Sequence, residues 1–173
     1  MGAFSGLKDA KRGFGSNKLK EGKYVVRIDA CDFFEGDQVG EAWKNTLTIL
    51  AVEEGPAEGA QHKVGEVVHT FFYMKSGKKT FHQNLKGFMA GVLNVDDEDV
   101  GEEEAEAATK EDSPMKGLVT VVTGRRRTSK KTKDEKTGEP VEYVVYSWSP
   151  CLDASEVLAA IGEEAYAKFF PNG

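Results

Sequence analysis

Six of the nine residues from Arg125 to Lys133 are Lys or Arg, and no acid interrupts them. Arg125, Arg126, Arg127, Lys130, Lys131 and Lys133 form this cluster in a chain whose net charge is −6. Tyr143, Tyr146 and Trp148 follow a short way on. Cations that track phosphates, joined to aromatic faces on which bases stack, are the two devices that hold single-stranded nucleic acid, each stacked base contributing about 1–3 kcal/mol. With about four phosphates neutralised, affinity would fall against salt with a log–log slope near −3. The plain alternative is a solvated turn, since Lys/Arg-rich hairpin tips are common on soluble proteins.

Enzymatic chemistry finds no comparable footing. "GFGSNK" has the wrong spacing for a phosphate-binding loop and no strand before it, and no Gly-x-Ser-x-Gly elbow occurs. His62, His69 and His82 form neither a His-Glu-x-x-His pair nor a set with Cys-x-x-Cys, so no zinc site is expected. Cys31 and Cys151 read as reduced thiols. No catalytic residue, metal or cofactor is assigned, and the protein is expected not to be an enzyme. No apolar run approaches the roughly 20 residues of a bilayer span. The first 22 residues lack the apolar core of a signal peptide, so the expected location is the cytoplasm, with no membrane partner.

The elements that would position these residues follow from hydrophobic period. Residues 1–22 are rich in Gly, Ser and Lys and read as a loose basic arm. "KYVVRIDACDFF" alternates as a half-buried strand, with Tyr24, Val26, Ile28 and Ala30 on one face and Arg27 on the other. "WKNTLTILAVEEG" alternates again, placing Trp43, Leu47, Ile49 and Ala51 together. "VVHTFFYM" is a third strand, apolar on both faces. In "KKTFHQNLKGFMAGVL" the apolar residues recur at three- and four-residue steps, the stripe of a helix that Gly87 and Gly91 weaken unless they serve close packing. "GLVTVVTGR" and "PVEYVVYSWSP" are two more strands. "LDASEVLAAIGEEAYAKFF" reads as a final helix capped by Asp153 and Glu156, with Leu158, Ile161, Ala165 and Phe169 as its stripe.

The order is three strands, a helix, two strands and a final helix; five strands with a helix between the third and fourth is the order of an OB fold, a five-stranded Greek-key barrel, and other small barrels and α+β folds share the string. The expected fold is therefore mostly β, with residues 23–150 as the barrel domain and 151–173 as a C-terminal helix. The basic tip, residues 125–139, would join the last two strands and form one wall of an oligonucleotide groove. Arg27, Trp43, Lys44, Phe71 and Tyr73 on the earlier strands complete the candidate set. Several have a blander reading. Trp43 and Trp148 suit a core, Tyr143 and Tyr146 face opposite sides, Arg27 suits plain solvent exposure, and one or two of Phe71, Phe72 and Tyr73 must be buried.

Residues 96–112 hold ten acids and one Lys, a balance of −9, and leave the rest of the chain at +3. This run reads as a solvated linker or as an anionic segment that competes for the groove. It also carries the alternative function, a protein-interaction or virion-associated β protein whose acidic run binds a basic partner.

The stretches "EGKYVVRIDACDF", "TLTILAVEEGPAEGAQHKVGEVVHTFF", "FHQNLKGFMAGVL", "MKGLVTVVTG" and "YVVYSWSP" resemble, in pattern and order, bacteriophage-encoded single-stranded-DNA-binding proteins of the OB fold. The resemblance covers about residues 21–150. It implies sequence-independent coating of single-stranded DNA, with RNA bound more weakly, in phage replication, recombination or repair inside the bacterial host. It implies a groove lined by Arg27, Trp43, Phe71, Tyr73, Tyr146, Trp148 and the basic tip. Replication or recombination proteins would be partners. The chain departs from the pattern at its end: "EEAYAKFFPNG" replaces an acidic tail, and Phe169 and Phe170 would pack on the barrel or on a second subunit.

Overall fold

The computed structural model describes residues 17–37, 39–133 and 137–172, leaving aside the side chains of Lys131 and Thr132. Most of the expected basic arm, residues 1–16, lies outside the described residues, as do 134–136 of the basic tip.

Five antiparallel strands form one open sheet in the order β3-β2-β1-β4-β5. They are β1 (Gly22–Gly36), β2 (Gly40–Glu54), β3 (Val67–Tyr73), β4 (Val119–Lys133) and β5 (Pro140–Trp148). Four helices accompany them among the described residues: α1 (Lys78–Leu93), α2 (Glu102–Ala108), α3 (Ala154–Ile161) and α4 (Glu163–Phe169). None is long and apolar enough to cross a membrane. Central β1 pairs with β2 along almost its whole length and with β4 from Gly22 to Arg27. Register shifts interrupt the β1–β2 ladder at three places, which bends the strand. The shift between Ile28 and Ala30 also changes which side chain turns inward: Tyr24, Val26 and Ile28 are buried as expected, but Cys31 continues the row in place of Ala30.

The inner face of the sheet meets α1. The helix covers the stretch that its period predicts, and Phe81, Leu85, Phe88, Met89 and Val92 enter the core with Trp43, Leu47, Ile49, Val68 and Phe72. Gly91 permits the contact with β5, because a Cβ there would lie 2.9 Å from the Trp148 carbonyl oxygen, whereas one on Gly87 would meet nothing. Gly91→Ala is therefore expected to cost about 1–3 kcal/mol of overpacking. Gly87→Ala should instead stabilise by up to about 1 kcal/mol through helix propensity. Urea denaturation of the two variants checks the opposite signs.

The outer face carries a second apolar cluster, Val25, Leu50 and Val119, covered by Val157 of α3 and by Ile161, Tyr166, Phe169 and Phe170. The expected single C-terminal helix is two. Its capping box forms, with the Asp153 carboxylate accepting from the Glu156 N–H at 2.8 Å, but Gly162 turns the chain at φ 89°. The buried stripe shifts accordingly, so Val157 is inward and Leu158 is 38% exposed.

Two further expectations change. The acidic run is not a bare linker: Asp97–Asp99 form a 3-10 turn, α2 follows, and Val100 and Ala108 are buried with Ala105 packed beside them. Small apolar residues spaced among the acids supply that stripe. Asn17–Leu19 are not loose either. The Leu19 N–H donates to the His69 carbonyl at 2.9 Å, and the His69 N–H donates to the Asn17 carbonyl at 2.9 Å. Leu19 is buried, and the Tyr146 hydroxyl donates to its carbonyl. Residues 17–19 thus bond to both edge strands, β3 and β5. The Lys20 N–H donates to His62 Nε2 at 3.0 Å, and the Glu66 carboxylate accepts from His62 Nδ1, fixing the ring.

Burial pushes the Tyr24 phenol up to about 12 from 10.0 and raises Tyr146 as well. An unfolded chain ionises these phenols first, so their contribution is complete below about pH 10 and is lost as pH climbs through the folded values. Denaturant midpoints should hold from pH 8 to 10 and fall by pH 12. The double variant Tyr24→Phe, Tyr146→Phe should lose part of that fall.

Candidate nucleic-acid interface

Alternation along β3 sorts its side chains. Val68, Thr70 and Phe72 are buried, which leaves His69, Phe71 and Tyr73 half-buried on the outer face. The rings of Phe71 and Tyr73 stack, with centres 5.9 Å apart and planes 10° apart, and His69 lies 6.2 Å from Phe71. Lys18 places Nζ 5.7 Å from the Phe71 centre and 5.4 Å from that of Tyr73. On β2, Lys44 is the register partner of Phe71, and its Nζ sits 5.9 Å from the Phe34 ring. The expected Lys44, Phe71 and Tyr73 therefore come together. Lys18, Phe34 and His69 join them without having been singled out; His69 was legible from its two-residue spacing to Phe71, while Lys18 lay in a segment with no period.

The basic cluster is not a loop but the outer half of two strands. β4 leaves β1 at Gly124, and beyond it, among the described residues, β4 and β5 pair with each other. Arg125 faces Val145 and Arg127 faces Tyr143, while Arg126 faces Val144 and Thr128 faces Glu142. Alternation then gives the ribbon two unlike faces. One carries Arg125, Arg127, Val145 and Tyr143, the last 49% exposed. On the other, Arg126 is ion-paired with Glu21 at 2.9 Å and with Glu142 at 3.4 Å. Arg125 has a looser pairing with Glu54, at 3.8 Å. Lys130 and Lys133 are exposed, and the Lys131 side chain lies outside the described residues.

Four expected groove residues are otherwise engaged. Trp43 is 2% exposed, and its Nε1–H donates to Asn45 Oδ1 at 2.8 Å inside the core. Trp148 turns onto α1, its ring 4.6 Å from Phe88 and edge-on. Tyr146 is held by the Leu19 carbonyl. Arg27 is on the outer face but engaged: it bonds Asp29 at 2.8 Å and donates to the Phe169 carbonyl at 3.3 Å.

A short segment ties the aromatic face to the ribbon. Lys18 sits over Phe71 and Tyr73, and Glu21, three residues on, holds Arg126. Three residues extend at most about 11 Å, so the two regions are neighbours. Together they offer stacked rings, cations over and beside them, and a cationic ribbon with an exposed Tyr.

The sequence matches no protein-family model, and no curated protein matches it. Among the described residues no group of three or more His, Cys, Asp or Glu is placed to hold a metal ion. The geometry of the site is aromatic and cationic in character.

Proposed function

We propose that this protein binds single-stranded DNA without sequence preference, as a non-enzymatic OB-fold protein of the phage replication, recombination or repair type. The observation that carries the reading is the Phe71–Tyr73 stack beneath Lys18, flanked by Lys44 and tied through Glu21 to Arg126 of the ribbon, whose opposite face carries Arg125, Arg127 and Tyr143. Stacked rings among cations suit bases and phosphates in alternation, and no base edge need be read. The strand order supports the barrel reading. β1 pairs with both β2 and β4, and the sheet ends in β3 and β5, the two edges that an OB barrel brings together. Here residues 17–19 occupy the seam between those edges.

Fluorescence anisotropy of a labelled ~30-nucleotide strand, titrated from low to moderate salt beside matched duplex and RNA, tests the proposal. Salt-sensitive binding with strong preference for the single DNA strand is the expected result. The double variant Arg125→Ala, Arg127→Ala should flatten the salt slope by about 1.4, at about 0.7 per phosphate on a single strand. No binding at low salt would reduce the ribbon to a solvated turn.

A further inference from the structure

Helix α1 breaks the usual rules for helix charge. Its sixteen residues include Lys78, Lys79 and Lys86 and no acid. Lys78 and Lys79 stand in the first turn, where the helix dipole disfavours cations, and Gly77 provides no side-chain cap. Lys75 stands in the turn just before the helix. None of these four lysines enters an ion pair among the described residues, unlike Arg126 on the ribbon. Lys78, Lys79, His82 and Lys86 line one shallow, open groove with Gln83. Residues that oppose local stability without structural compensation are the signature of a functional surface.

The groove and the aromatic face lie on opposite sides of edge strand β3 and are joined by a short turn of chain. Tyr73 ends β3, the turn Met74–Ser76 follows, and α1 begins two residues later. Phe81 of α1 packs 6.0 Å from Phe33, which is 47% exposed at the β1–β2 hairpin. That hairpin carries Asp32, Glu35, Asp37 and Glu41 against Lys44, so its tip repels phosphates. A strand leaving Tyr73 meets repulsion on the hairpin side and unpaired cations on the helix side.

We infer that the basic face of α1, formed by Lys78, Lys79, His82 and Lys86 with Lys75 of the preceding turn, is a second phosphate track onto which a single strand passes from the Phe71–Tyr73 stack around the edge of β3. From Lys78 to Lys86 the track rises about 12 Å. The inference rests on the single-strand reading of the sheet face and adds to it a polarity-neutral, backbone-only segment.

The test is the triple variant Lys78→Glu, Lys79→Glu, Lys86→Glu in the full chain, measured by anisotropy with 8- and 30-nucleotide DNA strands. Acids in the first turn suit the helix dipole, so the variant should melt no lower than the parent. The expected result is at least a 10-fold loss on the 30-mer, with the salt slope flattened by about 2, and less than a twofold loss on the 8-mer. Unchanged 30-mer binding with an unchanged slope would overturn the track and leave the sheet face standing. Equal loss on both lengths would overturn it as a separate segment. Failure of the unsubstituted chain to bind either strand would remove the single-strand reading and the track together.

Discussion

Replacing Phe71 and Tyr73 together by alanine is expected to weaken single-strand binding by about 100-fold. Base stacking contributes about 1–3 kcal/mol per ring, and 2.7 kcal/mol corresponds to about two orders of magnitude in Kd. The rings are half-buried on the outer face, and the inward row of β3 is Val68, Thr70 and Phe72, so the core remains filled in the variant. The salt slope should barely change, because no cation is removed. Anisotropy well below the melting temperature, with the melt recorded beside it, reads both quantities. A variant that binds like the parent would mean that the bases stack elsewhere, and Tyr143 on the ribbon would be the next residue to replace.

Trp43 is expected to behave in the opposite way. Trp43→Ala empties a core position and should cost about 3–5 kcal/mol, a large part of the about 5–15 kcal/mol that holds a domain folded. Trp43→Phe fills most of that volume but removes the indole N–H from Asn45 Oδ1, whose amide in turn donates to Thr70 at 3.2 Å. Leaving that buried acceptor unpaired should cost about 1–3 kcal/mol. Single-strand affinity of the folded Trp43→Phe chain should match the parent. Urea denaturation gives the first number and anisotropy the second. Weaker binding by Trp43→Phe at unaltered stability would return this Trp to the interface.

The contrast between these residues was partly legible in the chain. Two-residue alternation grouped Trp43 with Leu47 and Ile49, which already placed it on the apolar side of β2; its aromatic type and the family resemblance nonetheless put it among the groove candidates. Helix α1 was readable in full, since a 3.6-residue period over sixteen positions depends on no partner. The ribbon was not. Whether Arg125 or Arg126 is neutralised depends on pairing with Val145 and Val144 and on Glu21, more than a hundred residues earlier in the chain. Register of that kind leaves no local trace. The bulge that substitutes Cys31 for Ala30 is hidden for a related reason, because an extra residue in a ladder alters every later face without altering composition. Composition misread the acidic run, where Val100, Ala105 and Ala108 decide the outcome over ten acids.

The bond between Tyr146 and Leu19 joins residues 127 positions apart, and Arg27 meets Phe169 across 142. Each closes most of the chain into a loop, and a contact of that span adds little until the ordering it demands has been met. On a ribosome, β1, β2 and β3 emerge long before β5, so the outward edge of β3 waits with Asn17–Leu19 as its nearest cover. A stretch that precedes β1 in the chain thus covers an open edge before β5 is made and is locked only when Tyr146 arrives, which would make it a guard against strand-to-strand aggregation in the nascent protein as well as a part of the finished one.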